Sequence, residues 1–258
     1  MPQTAPLDPG MIRVHRTGSG PPLVMLHCLG MTHHLWDCLG GLTDRFELIS
    51  YDLPGHGETA LPAAPYGIAE LSAQLVGVLR REGIARAHVM GISLGGLVAQ
   101  HFAATAAAMV DKLVLLDTTP RYTGEARANW AVRAAAARRD GPASLLPMIL
   151  KIWFTEPFVA ADPPAVRLVR ETFAACNGEG YALACEALGA ADLLALTPRI
   201  AAPTLVICGA DEIPAFRDAA AWLHANIAGA RLEIVASAAH ASVLEQPARI
   251  EALLRGFL

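Results

Sequence analysis

One serine lies where an apolar, strand-like run meets a helix-like run, in the pattern Gly91-Ile92-Ser93-Leu94-Gly95. A sharp turn from strand to helix would hold the Ser93 hydroxyl clear of its own backbone, as a nucleophile requires. Such a turn presses the residues two before and two after the serine against adjacent backbone, and Gly91 and Gly95 are small enough. The alternative is an ordinary glycine-rich turn with a solvated serine. The strand–turn–helix context favours Ser93 as a nucleophile.

Short apolar runs typical of buried parallel strands recur on both sides of this turn. Helix-like segments such as 68–79 separate them, and a short edge strand is predicted at 11–16. This alternation predicts the α/β class, with a mostly parallel sheet flanked by helices. The runs lie at residues 23–27, 46–51, 87–92, 113–117, 203–209 and 231–236.

The stretch 118–198 differs from the rest of the chain in composition and in hydrophobic pattern. Strand-like runs disappear there, and alanine- and arginine-rich segments such as 126–139 replace them. We therefore predict a helical insertion at 118–198. A core domain would then comprise residues 1–117 and 199–258.

Composition excludes several classes of partner. The chain of 258 residues has 53% hydrophobic residues and a net charge of −4, without a basic run. We therefore expect neither nucleic acid nor an anionic membrane as a partner. The five scattered cysteines form no C-x-x-C or Cys/His metal spacing, which suggests reduced thiols in a cytoplasmic protein. No signal peptide is expected from Met1–Pro6, where no apolar segment follows a basic one.

Polar residues that follow the late strands supply a base and an acid. His240 comes after the last strand signal and can accept the proton of Ser93, although most histidines serve packing or the surface. A carboxylate must hold the tautomer of that imidazole. The run 203–208 is followed by two adjacent acids, Asp211 and Glu212, and Asp117 ends an earlier strand. Of Asp211 and Glu212, only one can face His240.

Several stretches together resemble the α/β-hydrolases, and within them the 3-oxoadipate enol-lactonases. The G-I-S-L-G-G and A-A-H-x-S-x-x-E-Q-P motifs are shared by many hydrolases, whereas W-F-T and E-G-Y-x-x-x-C-E-A in the insertion are more specific. The resemblance implies Ser93 as nucleophile, His240 as base and an oxyanion hole from the N–H groups of Leu29 and Leu94. It also implies that 118–198 forms a helical cap. The matching stretches are 29–36, 51–57, 91–96, 153–155, 179–187 and 238–247.

The chain departs from these lactonases at three positions. Glu212 occupies the place of their usual aspartate, three residues after the glycine that ends the strand, and this register favours Glu212 over Asp211. Ile152 and Pro54 stand where the lactonases tend to carry arginines. The loss of these cations weakens the case for a substrate with a free carboxylate.

The insertion also supplies candidate pocket residues. Arg121 and Lys151 could replace the missing cations, although a charged side chain of this kind more often lies on the protein surface. Trp153 and Phe154 could form apolar walls of the pocket, or could equally pack the interior of the cap.

The sequence thus predicts a serine-dependent hydrolase of a small-molecule lactone or carboxylic ester, with 3-oxoadipate enol-lactone as leading substrate and aromatic-compound degradation as its setting. No metal or organic cofactor is expected. A general carboxylesterase or a carbon–carbon bond hydrolase of the same fold is the main alternative, because the triad alone does not select the substrate. A slow-turnover ligand-sensing receptor is an alternative of a different class. The oligomeric state is left open, a homo-oligomer included.

Overall fold

Seven strands form the central sheet of the protein, seen in a computed structural model that describes residues 8–258. Residues 1–7, and with them the expectation about a signal peptide, lie outside the described residues. The strands are β1 (Val14–Gly18), β2 (Pro22–Leu26), β3 (Glu47–Tyr51), β4 (Ala87–Ile92), β5 (Val110–Leu116), β6 (Thr204–Gly209) and β7 (Arg231–Val235).

The strand order across the sheet is β1-β3-β2-β4-β5-β6-β7. β1 pairs with β3 in the antiparallel sense, and the other neighbours are parallel. This mostly parallel sheet with its flanking helices confirms the predicted α/β class. The first strand begins at Val14 rather than Met11, because Pro9–Met11 form a 3-10 turn capped by the Asp8 carboxylate.

Helices flank this sheet, together with a 3-10 helical segment at His33–Asp44. The helices are α1 (Ile68–Arg81), α2 (Leu94–Thr105), α3 (Gly124–Asp140), α4 (Leu146–Trp153), α5 (Glu156–Ala161), α6 (Pro164–Ala175), α7 (Gly178–Ala190), α8 (Pro214–Asn226), α9 (Ser242–Glu245) and α10 (Pro247–Phe257).

Burial across the sheet explains the pattern of the strand sequences. Every residue of β4 and of β6 is buried, and such strands read as continuous apolar runs because helices cover both faces. The outer strands β1 and β7 are partly exposed and carry charged residues such as Arg16 and Glu233. The core therefore surrounds the central strands, whose carboxyl ends carry the polar residues singled out above.

The chain between β5 and β6 carries the helices α3 to α7. Arg121 and Asp192 form an isolated antiparallel bridge, and within this described stretch no residue belongs to a strand of the sheet. The division of the chain into a core and a cap at 118–198 remains a proposal.

The turn between β4 and α2 is tight enough to require glycine at two positions. A Cβ atom on Gly91 would lie 2.2 Å from the carbonyl oxygen of Gly95, and one on Gly95 would lie 2.0 Å from that of Leu26. Both obstacles are backbone atoms, which cannot rotate away. Between the two glycines, Ser93 adopts a φ of 53°, an uncommon value for a residue with a side chain.

This packing predicts that Gly95→Ala destabilises the protein. The added methyl group would overlap the Leu26 carbonyl, and overpacking of this kind costs on the order of 1–3 kcal/mol or more. Gly256→Ala is the matched control, because nothing lies within 4 Å of its Cβ position and alanine favours the helix α10. Urea unfolding compares the two variants, and equal stability of both would contradict the close-packed turn.

Candidate active site

Ser93 lies at the entrance of α2, at the carboxyl end of β4. Only 6% of the residue is exposed, and its backbone N–H donates to the carbonyl of Leu116 at 3.0 Å. Leu94 is the first residue of α2, so its N–H has no carbonyl partner within the helix. An N–H at a helix N-terminus favours negative charge beside it.

His240 and Glu212 form a buried pair at the carboxyl ends of β7 and β6. The Nδ1 atom of His240 lies 2.5 Å from Oε2 of Glu212, and neither side chain is more than 7% exposed. A proton on Nδ1 is donated to the carboxylate, which leaves Nε2 as the basic nitrogen of the ring. The pair therefore has the arrangement in which a carboxylate sets the tautomer of a histidine base.

The pKa of His240 results from opposing influences. Burial alone lowers it, whereas the charge and hydrogen bond of Glu212 and the charge of Asp117 raise it, and the net shift is upward. A base must be neutral to accept a proton. Because the pKa of His240 is raised, its neutral form predominates only at a higher pH than for an ordinary histidine.

The other two candidate acids lie elsewhere. Asp211 is exposed, and its backbone N–H donates to the carbonyl of Ala238. Asp117 is buried and accepts hydrogen bonds from the Gly209 N–H at 2.9 Å and from the Ser242 hydroxyl at 2.5 Å. Burial, together with the negative charge of Glu212, raises the pKa of Asp117 to about 7. Through these hydrogen bonds Asp117, which directly follows β5, links that strand to the end of β6 and to the start of α9.

One cavity of about 210 Å³ brings the predicted nucleophile and base together. Ser93, His240 and Leu29 all line it, and its remaining walls are largely apolar. This volume is below the ~300–1,000 Å³ of pockets for drug-sized ligands, so a small compound fits best. The other lining residues are Tyr122, Ala126, Asn129, Trp130, Arg133, Ile149, Ile152, Trp153, Ile213, Ala215 and Phe216.

The predicted pocket residues divide between this cavity and other places. Trp153 lines the cavity, and its ring also packs against Phe173 with the centroids 5.6 Å apart. Phe154 is buried and stacks on Phe158 outside the cavity lining. Arg121 and Lys151 are exposed and do not belong to the lining residues described above. Of the predicted pocket residues, Trp153 therefore lines this cavity, whereas Phe154 and Arg121 do not.

The structure adds a cation that sequence reasoning missed. Arg133 on α3 lines the cavity, and its guanidinium lies 4.3 Å from the centroid of the Trp130 ring. One terminal nitrogen, Nη2, donates to the hydroxyl of Tyr181 at 2.6 Å. The Nε atom is buried and has no hydrogen-bond partner within residues 8–258. The V-R dipeptide in an alanine-rich helix gave no signal of this role.

Tyr122 is a second missed residue of the same cavity. Its hydroxyl is buried without a hydrogen-bond partner in the described part of the chain. Burial raises the pKa of Tyr122, so the phenol keeps its proton and can donate it to a ligand.

Comparisons with known proteins identify a family and several relatives that match most of the chain. Residues 23–253 match the family described as the alpha/beta hydrolase family. The chain is 32% identical to 3-oxoadipate enol-lactonase 2 of Acinetobacter baylyi, over 92% of this chain and 90% of that one. It is also 33% identical to the pimeloyl-[acyl-carrier protein] methyl ester esterase of Chromobacterium violaceum, over 90% and 91% of the two chains.

A solved structure shows a similar fold. The crystal structure of the enol-lactonase from Burkholderia xenovorans superposes with a TM-score of 0.91 at 31% identity. The match covers 95% of each chain.

The buried pair predicts how the titration of His240 responds to substitution. Glu212→Gln should lower the pKa of His240, because the amide removes the negative charge that raises it. Asp211→Asn is the control and should leave that pKa close to the wild-type value, because its side chain is exposed. Imidazole NMR signals followed against pH give both values. A larger shift in Asp211→Asn than in Glu212→Gln would refute the assigned pairing.

Proposed function

The chain belongs to the alpha/beta hydrolase family, and from this premise we propose that it is a serine hydrolase of small lactones or carboxylic esters. Its leading substrate is 3-oxoadipate enol-lactone. One observation carries the proposal: Ser93 and His240 line a single small cavity, and Glu212 lies at the far nitrogen of His240. We assign the roles of nucleophile, base and acid to these three residues in that order.

The first half of the reaction forms an acyl-enzyme. The Ser93 hydroxyl oxygen attacks the substrate carbonyl while its proton passes to Nε2 of His240. The N–H groups of Leu29 and Leu94 donate to the resulting oxyanion. Collapse of this intermediate breaks the bond from the acyl carbon to the leaving oxygen, and His240 gives the proton it took from Ser93 to that oxygen and becomes neutral again. In an enol-lactone the leaving enol stays attached to the acyl group and tautomerises to a ketone.

The second half releases the acid. His240 takes a proton from water, and the water oxygen attacks the acyl carbon. The bond to Ser93 then breaks, and its oxygen recovers a proton from His240. Throughout, Glu212 stabilises the imidazolium form of His240 and remains ionised itself.

Arg133 supports a substrate that carries a carboxylate. Among the described lining residues of the cavity Arg133 is the one arginine or lysine, and its Nε–H has no acceptor among residues 8–258. A carboxylate of the substrate would satisfy such a donor with a charge-assisted hydrogen bond. Ile152, at the position where an arginine was expected from the resemblance, also lines the cavity. Arg133 thus supplies the charge from another helix.

The cap assignment belongs to the same proposal. Helices α3 and α4 contribute Arg133, Ile149 and Trp153 to the cavity, so residues 118–198 would cover the site and select the substrate. A cytoplasmic location and a role in the degradation of aromatic compounds are further parts of this proposal. The location rests on the scattered cysteines, which suggest reduced thiols, and the role in degradation rests on the resemblance to the lactonases.

A carboxylesterase is the second candidate, favoured by the similarity to a methyl ester esterase. That relative is named for an ester attached to an acyl carrier protein. The cavity volume of about 210 Å³ favours a small free substrate instead.

We predict that Arg133→Leu lowers kcat/KM for a substrate that carries a carboxylate and leaves kcat/KM for uncharged substrates nearly unchanged. For 3-oxoadipate enol-lactone, kcat/KM should fall by roughly 10- to 100-fold, because a buried charge-assisted hydrogen bond contributes about 1.5–3 kcal/mol. For an uncharged lactone and for p-nitrophenyl acetate, kcat/KM should change little. Steady-state kinetics on this panel measures the difference.

Arg138→Leu is the matched control for this experiment, because it removes an arginine of α3 that faces Glu179 and Glu186 instead of the cavity. This variant should keep the wild-type kcat/KM for every substrate of the panel. Equal losses on charged and uncharged substrates in Arg133→Leu would contradict the carboxylate contact. Preference of the wild-type enzyme for the uncharged aryl ester would favour the carboxylesterase.

A further inference from the structure

A histidine cluster lies outside the cavity, at the β1 edge of the sheet. His15 on β1 and His33, which begins the 3-10 segment, stack with ring centroids 3.6 Å apart and planes 9° from parallel. Glu58, in the loop after β3, brings Oε2 within 2.9 Å of Nε2 of His15. One potential ligand atom from each residue lies within 4.8 Å of the other two.

A buried carboxylate orients two members of this cluster. Oδ1 of Asp52 accepts from the backbone N–H of His33 at 2.6 Å and lies 2.9 Å from its Nδ1. Oδ2 of the same carboxylate accepts from the backbone N–H of Glu58 at 2.8 Å. Asp52 is 1% exposed, so it fixes both residues from within the protein.

These contacts determine which atoms are available. Since Nδ1 of His33 donates to Asp52, its Nε2 carries the free lone pair. A carboxylate behind the ring is the usual outer partner of a metal-binding histidine. Glu58 uses Oε1 to accept from Arg13 at 2.9 Å, which leaves Oε2 on the side of His15.

We propose that His15, His33 and Glu58 form a binding site for a first-row divalent metal ion, with Zn²⁺ as the representative. Two imidazoles and one carboxylate are a ligand set that zinc accepts. With metal–ligand bonds of about 2.0–2.2 Å, ligand atoms around one zinc lie roughly 3–3.5 Å apart. His33 is held by Asp52, so the His15 ring must turn out of its stack on His33 until its Nε2 lone pair points at the ion. Nε2 of His33, Oε2 of Glu58 and a water would then complete the four positions.

The site would join three parts of the chain that lie far apart in sequence. A bound ion links the edge strand β1 to the segment after β2 and to the loop after β3. None of the three ligands lines the cavity that contains Ser93. The proposal is therefore independent of the hydrolase reaction.

Titration calorimetry of chelator-treated full-length protein with ZnCl₂ tests the site. We expect one Zn²⁺ per chain with a micromolar or tighter Kd. His15→Gln and Glu58→Gln should each weaken binding by at least ~10-fold, the scale on which even outer-shell partners act. Both side chains are partly exposed, so neither substitution should prevent folding.

His34→Gln is the matched control. The His34 ring lies 4.0 Å from that of His33, but its Nδ1 pairs with Asp37, and its side chain is 56% exposed. This variant should bind Zn²⁺ as the wild type does, and the visible spectrum of bound Co²⁺ should change only in the two ligand variants. Absence of micromolar binding would overturn the proposal. Binding that survives both His15→Gln and Glu58→Gln would overturn it as well.

Discussion

The contact between the first turn of α2 and the carboxyl end of β2 is the constraint on which the rest of the site depends. Gly95 lies so close to the Leu26 carbonyl that any side chain would overlap backbone. The chain can therefore turn from β4 into α2 within one residue, and that residue, Ser93, is held at a positive φ. The cost of this conformation is offset by the burial of α2, most of whose residues are inaccessible to solvent.

The same edge of the sheet positions the partners of Ser93. Parallel strands direct their carboxyl ends to one side, so the loops after β4, β6 and β7 meet there. Asp117 connects two of these regions, because its carboxylate accepts from the N–H of Gly209, the last residue of β6, and from the hydroxyl of Ser242 beyond β7. Its charge also raises the pKa of His240. Asp117 thus supports the site by position and by charge, although it does not contact His240 as a hydrogen-bond partner.

Local patterns predicted the sheet and the turn at Ser93, because a buried strand has a continuous apolar sequence and a tight turn around a serine leaves closely spaced glycines. The choice of Glu212 over Asp211 needed the resemblance, and the structure places Glu212 against His240 while Asp211 is exposed. The pocket was harder to predict. Arg133 and Tyr122 reach the cavity only because helices between β5 and β6 pack over it, whereas Phe154 stacks on Phe158 and does not line it. Such placements depend on tertiary packing that no periodicity in the sequence encodes.

Acyl-enzyme trapping tests the central claim most directly. The wild-type protein is mixed with p-nitrophenyl acetate, quenched in acid during turnover and digested for peptide mass spectrometry. The account predicts an acetyl ester on Ser93, with no such adduct and a loss of several orders of magnitude in kcat for Ser93→Ala. An adduct on another residue, or a Ser93→Ala variant that keeps most of its activity, would contradict it.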